Sequence, residues 1–427
     1  MIGVDFGTTN SAVAAVREGH VQLAQAMFRG KPTTSWRSVL YFSVEERVSV
    51  REPAIYAGPA AIEQCLDEGA TGRLLLSLKS LLPSRTFETT QVLGCVYTLP
   101  QLIAELLRRL RVDAEKSLGP LGDAIVVGRP VEFVGARSAD DEELALARLR
   151  EAFRLAGFSR VEFEYEPVAA AWFYASQLDH DELLLVADFG GGTSDFTVMR
   201  VGPGTEHLSA AERVLARDGV GIAGDKFDSR IVEAEVAPRL GRGGYYGIMG
   251  GGKAEIPDWL YVKLRDWHEL SFLKEPRPFE IMKEIARHAE NKKAFGAFLS
   301  IVSENLGFDL YQVVEQSKQR LSSAASTDLS VDIGDLLFDS VVCREKFERW
   351  IEPDIARIAQ ALDRSLAAAG VTAGEIDRVF MTGGTAFTPA VRRVFAERFG
   401  ENKLAGGNEL TSVASGLALR AAQWFGP

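Results

Sequence analysis

The residues best suited to chemistry lie in one stretch near the middle of the chain. Leu183 to Val186 is apolar, Asp188 follows, and Gly190, Gly191 and Gly192 come next. Thr193, Ser194 and Asp195 lead into a second apolar stretch, Phe196 to Val201. Strand, glycine turn, strand reads as a hairpin. Three consecutive glycines are costly in a plain hairpin, because glycine loses the most backbone freedom on folding. They suit a place where backbone N–H groups approach something closely, and a concave row of N–H groups suits phosphate. The flanking aspartates could hold a hydrated divalent cation, since Mg²⁺ prefers oxygen ligands and keeps several waters. A flexible turn with incidental acids accounts for this stretch equally well. The amino terminus tips the balance towards phosphate. Asp5-Phe6-Gly7 repeats Asp188-Phe189-Gly190, and each is followed by small or hydroxyl residues and another apolar strand. Two such units far apart in the chain suggest two related lobes, with both hairpins meeting across one cleft.

The whole chain sets bounds on this reading. Its 427 residues exceed one ordinary domain and supply a large core. Hydrophobic content of 46% and charged content of 25% are globular values. A net charge of −11 argues against nucleic-acid binding, which favours a basic face. Cys65, Cys95 and Cys343 are scattered, so neither a disulfide framework nor a Cys-x-x-Cys site is expected. The histidines, His20, His180, His207, His268 and His288, show no metal-ligand spacing. With no signal-peptide pattern and no run of roughly 20 apolar residues, the expectation is a soluble cytoplasmic protein without a membrane span.

Around the two turns, the elements that must position them can be read in order. Val21 to Phe42 suggests further strand with a loop at Gly30-Lys31-Pro32, and Pro59 to Leu66 a short helix. Lys79 lies in an apolar segment, Arg73 to Leu82, where a snorkelling surface lysine is the plainer local reading. Leu99 to Leu118 carries a helical apolar stripe, started near Pro100 and stopped at Gly119-Pro120. Ala124 to Gly128 reads as strand, Asp140 to Ala156 as a helix with Asp140 at its N-cap, and Val161 to Tyr165 as strand. Glu166-Pro167 opens a small-residue helix, Val168 to Gln177. This succession is that of an α/β layer fold.

The second half is less regular. Gly219 to Gly224 matches Gly-x-Gly-x-x-Gly after a strand, Val214 to Arg217, and before a helix, Lys226 to Glu233. A Rossmann nucleotide site is therefore a rival to a loop that meets phosphate or ribose. Gly241 to Gly252 reads as a mobile loop, and Ile256 to Leu273 as an aromatic-rich core segment that could also form a partner surface. Pro278 to Arg320 suggests helices broken at Gly296 and Gly307, with Glu315 and Lys318 on one face. Asp328 to Phe338 is strand-like, and Arg344 to Ala369 is a long helix ended at Gly370. Val379 to Thr382 feeds a third glycine turn, Gly383-Gly384-Thr385. Helices follow over Pro389 to Phe399 and, after a loop at Gly406-Gly407, over Ser412 to Trp424.

Taken together, these stretches resemble the actin-like ATPase superfamily, and within it the nucleotide-binding domain of the DnaK-type, seventy-kilodalton heat-shock chaperones. Asp5 through Ser11 is similar to the family's first phosphate loop, and Asp188 through Asp195 to its second. Lys79 falls where the family has its catalytic lysine. Gly128-Arg129-Pro130 and Glu166 through Ala171 resemble the hinge segments between the lobes. Gly224 through Asp228 resembles the Gly-Glu-Asp-Phe-Asp turn, Glu315 through Ser322 the adenosine-contacting helix, and Gly383-Gly384-Thr385 with Pro389 the adenosine loop. The sequence departs from the family in places. Gln319 and Phe387 stand where the family has arginines, and the span from Gly224 to Glu315 is longer. The expectation is a nucleotide-binding domain without the family's β-sandwich peptide-binding domain, helical lid or charged-leucine linker after Trp424. The pattern resembles the divergent YegD-type branch.

The resemblance implies an α/β actin-like fold of two lobes, each a mixed sheet flanked by helices, with ATP or ADP in the cleft. Lobe I would comprise 1–182 with 404–427, its smaller part at about 31–118. Lobe II would comprise 183–403, its smaller, enlarged part at about 225–345. The resemblance further implies that Gly7, Thr8, Thr9 and Asn10, with Gly190, Gly191, Gly192 and Thr193, clasp the phosphates. Gly224, Asp225, Glu315, Lys318, Ser322, Gly383, Gly384 and Thr385 would meet the nucleoside, and Asp5 and Asp188 would hold Mg²⁺ through water. Lys79 would stand beside the γ-phosphate, with Glu166, Asp195 and Thr193 orienting the attacking water or helping to deprotonate it. The expected activity is a slow ATPase that reports its nucleotide state to a protein partner. The alternatives are a nucleotide-gated scaffold with negligible turnover, acting through the enlarged region, and a small-molecule kinase of the same superfamily.

Overall fold

Apolar strands broken by glycine turns build two sheets of the same design. The computed structural model describes residues 1–49, 52–68, 71–133, 135–175, 178–205, 208, 210–248, 251–265, 267–304, 306–405 and 412–426. Gly406 and Gly407, and the ends of the expected loop and helix at 249–250 and 176–177, lie outside the described residues. The chain divides into two compact units. The first comprises Met1–Gly221, Gln360–Ala386 and Val394–Pro427, and the second Ile222–Ala359 with Phe387–Arg393.

In the first unit, one sheet has the order Arg160–Tyr165, Ala124–Arg129, Ile2–Phe6, Asn10–Arg17, His20–Leu23. The other has the order Leu404–Ala405, Arg378–Thr382, Glu182–Phe189, Ser194–Val201, Val214–Val220. In each, the leading strand pairs antiparallel with the strand after its glycine turn, and parallel with a strand on its other side. Ile2–Phe6 and Glu182–Phe189 therefore occupy equivalent places, and Asp5 and Asp188 each stand one residue before the end of their strand. The repeated Asp-Phe-Gly marks a true repetition of topology.

Helix Ser412–Phe425 locks the first sheet. A Cβ on Gly3 would lie 2.2 Å from the Ala418 nitrogen, and one on Gly416 would lie 1.8 Å from the Ala169 oxygen. The backbones meet because small residues stand at the crossings: Ala12, Ala14, Ala414 and Ala418 pack together, as do Val126, Ala169, Val413, Leu417 and Ala421. A larger cluster unites Leu78, Leu82, the stripe of helix Leu99–Leu118 and Leu149 and Phe153 of helix Ala139–Leu155.

Several element readings are corrected. Ser138 caps helix Ala139–Leu155, accepting from the Asp141 N–H, and Asp140 falls in the first turn. The Rossmann reading fails because Val214–Val220 runs through the first glycine and pairs antiparallel with Ser194–Val201, which leaves no βαβ crossover. In the second unit, part of the glycine-rich 241–252 stretch is strand: Tyr245–Gly247 pairs with Lys253–Glu255. Gly296 lies inside helix Lys292–Ser303, and the helix break falls at Ala289–Asn291, where Asn291 supplies the N-cap. The aromatic segment is divided: Tyr261 is buried, but Trp259 and Phe272 are exposed. The region read as Asp328 to Phe338 is a hairpin, Ser326–Ile333 with Leu336–Cys343.

Candidate functional site

The first glycine turn is forced by close approach. A Cβ on Gly7 would lie 2.0 Å from the Asn10 oxygen, so the turn closes only with glycine. In the second turn the Gly190 N–H donates to the Thr193 oxygen at 2.8 Å. Here crowding is not the reason for glycine. A Cβ on Gly192 would meet nothing within 4 Å, and one on Gly190 would make only ordinary contact at 3.6 Å. The protein leaves room over this turn, as a ligand cradle requires. The third turn packs against the second: Gly383, at φ +85°, would place a Cβ 1.9 Å from the Phe189 oxygen. Just before it, Thr382 Oγ1 donates to Asp188 Oδ1 at 2.6 Å. Thr382 was missed in the sequence, although its place before the glycine pair was the available signal.

Lys79 reaches this recess from a 3₁₀ turn, Leu78–Leu81, and is 8% exposed. The local reading as a surface lysine is thereby corrected: Leu78 and Leu82 enter the core and carry the lysine inward. Its Nζ donates to Glu166 Oε1 at 2.7 Å. Glu166 opens helix Glu166–Ala175, and Gly128 leaves space for it, since a Cβ there would approach Glu166 Cγ to 3.1 Å. Asp5, Asp188 and Asp195 lie near enough to Lys79 and Glu166 for these charges to act on them.

The electrostatics follow from one buried cation among several acids. Burial, then the charge of Glu166, pushes the Asp5 carboxyl up to about 7, with Lys79 opposing. Burial also raises Asp188, against the Thr382 hydrogen bond. Asp195 is pushed up to about 7 by burial, against the hydrogen bond it accepts from Thr193 Oγ1 at 2.8 Å. Burial acts against the Lys79 charge, but Glu166, Asp5 and Asp188 together hold its pKa above the ordinary lysine value. Asp5 and Asp188 are only half-buried by surface, and Asp195 is exposed. The acids thus line a recess that water enters, deep among protein atoms but open at its mouth. Surplus negative charge beside vacant glycine turns suits a hydrated divalent cation and phosphate. Among the described residues no three His, Cys, Asp or Glu are grouped as direct metal ligands.

In the second unit Lys318 Nζ donates to Asp228 Oδ2 at 2.6 Å and to the Gly224 oxygen at 3.0 Å. Asp225 and Glu315 are near enough to raise the Asp228 pKa further, and Ser322 lies one turn beyond Lys318 on helix Gly307–Ser323. Asp228 is 5% exposed, its Oδ1 has no hydrogen-bond partner among the described residues, and burial pushes its pKa up to about 7 against Lys318. Below about pH 7 the folded chain carries this proton, which the unfolded chain takes up only near the ordinary value of 3.8. Stability must therefore rise as pH falls from 8 to 5, by about 1–2 kcal/mol, and fall again as pH rises through 7. Urea denaturation across this range should show the trend; Asp5, Asp188 and Asp195, also raised by burial, act in the same direction, so Asp228→Asn should reduce the trend without abolishing it. His180, raised mainly by Asp179, acts in the same direction but is exposed.

With this geometry in hand, a comparison with protein families decides the relationship. The family model described as Hsp70 protein matches residues 78–238 and 302–426. The chain belongs to the Hsp70 family. As an Hsp70 relative it has the actin-like ATPase fold, and its duplicated sheets are the two halves of that fold. It is a nucleotide-binding, ATPase-like domain of the Hsp70 type. The match includes Lys79, Glu166, both aspartates of the second turn, Lys318 and the third turn. Residues 239–301, within the second unit, fall between the two matched parts. No helix among the described residues is long and apolar enough to cross a membrane.

Proposed function

We propose that this Hsp70-type chain is a slow, Mg²⁺-dependent ATP hydrolase, used as a conformational switch that a cytoplasmic protein partner reads. The observation that carries the reading is the Lys79–Glu166 pair, recessed beside two glycine turns and among Asp5, Asp188 and Asp195. Backbone N–H groups of Gly7 to Asn10 and of Gly191 to Thr193 and the hydroxyls of Thr8 and Thr9 donate to the phosphates, while Gly190 closes the second turn on Thr193. Asp5 and Asp188 would hold the ion through water, and it would supply charge neutralisation to the phosphates. Lys79 sets a cation beside the transferring phosphoryl group, and Glu166 fixes its ammonium. Asp195, joined to Thr193, orients the attacking water and is the group best placed to take its proton. Gly224, Asp225, Glu315, Lys318 and Ser322, with Gly383, Gly384 and Thr385, serve the nucleoside.

Gly192→Ala tests the cradle. Nothing in the protein opposes the added methyl, so stability should change by less than about 0.5 kcal/mol. ATP affinity by calorimetry should nevertheless fall about tenfold, because the methyl occupies space meant for phosphate. Unchanged affinity would count against phosphate lying over this turn. Phosphate release from Mg²⁺-ATP tests the reaction itself. A second reading, a nucleotide-gated scaffold, is favoured by the exposed Trp259 and Phe272 in the segment outside the family match. Tight ATP binding with no phosphate release would support it.

A further inference from the structure

The Lys79 turn needs support from outside itself. It begins at Ser77, a non-glycine residue in the left-handed region at φ 54°, which is a strained start. Backbone bonds run from Ser80 N–H to the Ser77 oxygen, from Leu82 N–H to the Lys79 oxygen and from Ser84 N–H to the Leu81 oxygen, all within the segment itself. The chain then runs on without strand pairing as far as Thr89–Val92. Into this gap helix Ala139–Leu155 extends Arg148. Its Nη1 donates to the Leu82 oxygen at 2.9 Å and the Ser84 oxygen at 2.8 Å, and its Nη2 to the Phe87 oxygen at 2.8 Å.

This arrangement is unusual for an arginine. Among the described residues Arg148 forms no ion pair, and burial lowers its pKa with only the Glu88 charge opposing. A half-buried guanidinium held by carbonyls alone is costly, and a simple surface tie would use a carboxylate. What the fork supplies is geometry: a rigid planar donor set holds three converging carbonyls in fixed directions, where the three donors of an ammonium rotate on a flexible stem. One residue along, Leu149 joins Leu78 and Leu82 in the core. The helix thus grips the Lys79 segment by apolar contact before the turn's end and by hydrogen bonds after it.

We propose that Arg148 is the positioning residue for Lys79: it fixes the 82–87 segment so that the Lys79 ammonium is held on Glu166. The inference rests on the role proposed for Lys79, and its test is separable from that role. In the ligand-free full chain, brief acetylation with acetic anhydride followed by peptide mass spectrometry reports how accessible each lysine is. Arg148→Met keeps the apolar stem and removes the fork. Lys79 acetylation should then quicken about tenfold, as expected when several charge-assisted hydrogen bonds are lost. Lys318, ion-paired with Asp228 in the other unit, and the exposed Lys116 should not change. Turnover should fall about tenfold with ATP affinity unchanged, a split that marks positioning and not binding. If the wild type releases no phosphate, the ATPase reading fails while Lys79 labelling still judges Arg148. Unaltered Lys79 protection in Arg148→Met overturns the proposal, and so does a parallel rise at Lys79 and Lys318, which would mean general loosening. Should Arg148→Met not fold, Arg148→Lys serves: intermediate labelling is expected, and wild-type protection would show that the fork is not needed.

Discussion

Lys79→Ala is expected to slow phosphate release about 10²–10³-fold while leaving ATP binding largely in place, since removing one preorganised transition-state donor has that effect. Among the described residues Lys79 is the one cation acting on Asp5, Asp188 and Asp195, so the substitution removes the charge that balances the recess. Glu166 also loses its partner at 2.7 Å. Were Glu166 to stay charged, the orphaned acid would cost about 3–5 kcal/mol; taking up a proton limits the loss. Thermal denaturation should accompany the kinetics, so that turnover is judged on folded protein. Single-turnover phosphate release and calorimetry on both proteins provide the check. Unchanged hydrolysis would remove Lys79 from the reaction, and loss of binding with turnover would make it an affinity group.

Gly416→Val is expected to be the most damaging single change to the fold, costing about 3 kcal/mol or more. A Cβ at this position meets backbone on every near side: the Ala169 oxygen at 1.8 Å, its carbonyl carbon at 2.6 Å and its Cα at 3.1 Å. No rotamer change relieves such a contact, so helix Ser412–Phe425 must move away from helix Glu166–Ala175. The movement strips Val413, Leu417 and Ala421 from Val126 and Ala169, and tears at the crossing of Gly3 with Ala414 and Ala418. Because Glu166 heads the helix that the added methyls press on, its bond to Lys79 is disturbed too. Urea denaturation gives the cost directly, and wild-type stability in Gly416→Val would show that the helices are not in this contact.

Much of this was written locally. Asp-Phe-Gly followed by a hydroxyl-rich turn and an apolar strand needs only nearest neighbours to be read, and it occurs twice. Helices with strong stripes and stops were as legible: Leu99–Leu118, Arg344–Ala369 and Pro389–Phe399 have the expected bounds. Glycine was the least reliable sign. At Gly296 it sits within a helix whose neighbours, Phe295, Ala297 and Phe298, are buried, so packing outweighs its modest propensity cost. Within the stretch from Gly241 to Gly252, Tyr245–Gly247 forms a short strand paired with Lys253–Glu255, where composition suggested only a mobile loop.

By itself, then, the sequence determined the repeated Asp-Phe-Gly turns, the α/β class and the family, because each rests on the order of residues along the chain. Only the tertiary structure decided what surrounds each charge. Lys79 looked like a surface lysine until Leu78 and Leu82 were seen to bury its turn. Gly192 and Gly7 are the same letter, yet one leaves open space and the other closes on Asn10. Arg148 gave no local sign of gripping residues 82–87. Burial, clearance and the acid set around a cation depend on strands and helices distant in sequence, and these set pKa and geometry only when the chain has packed.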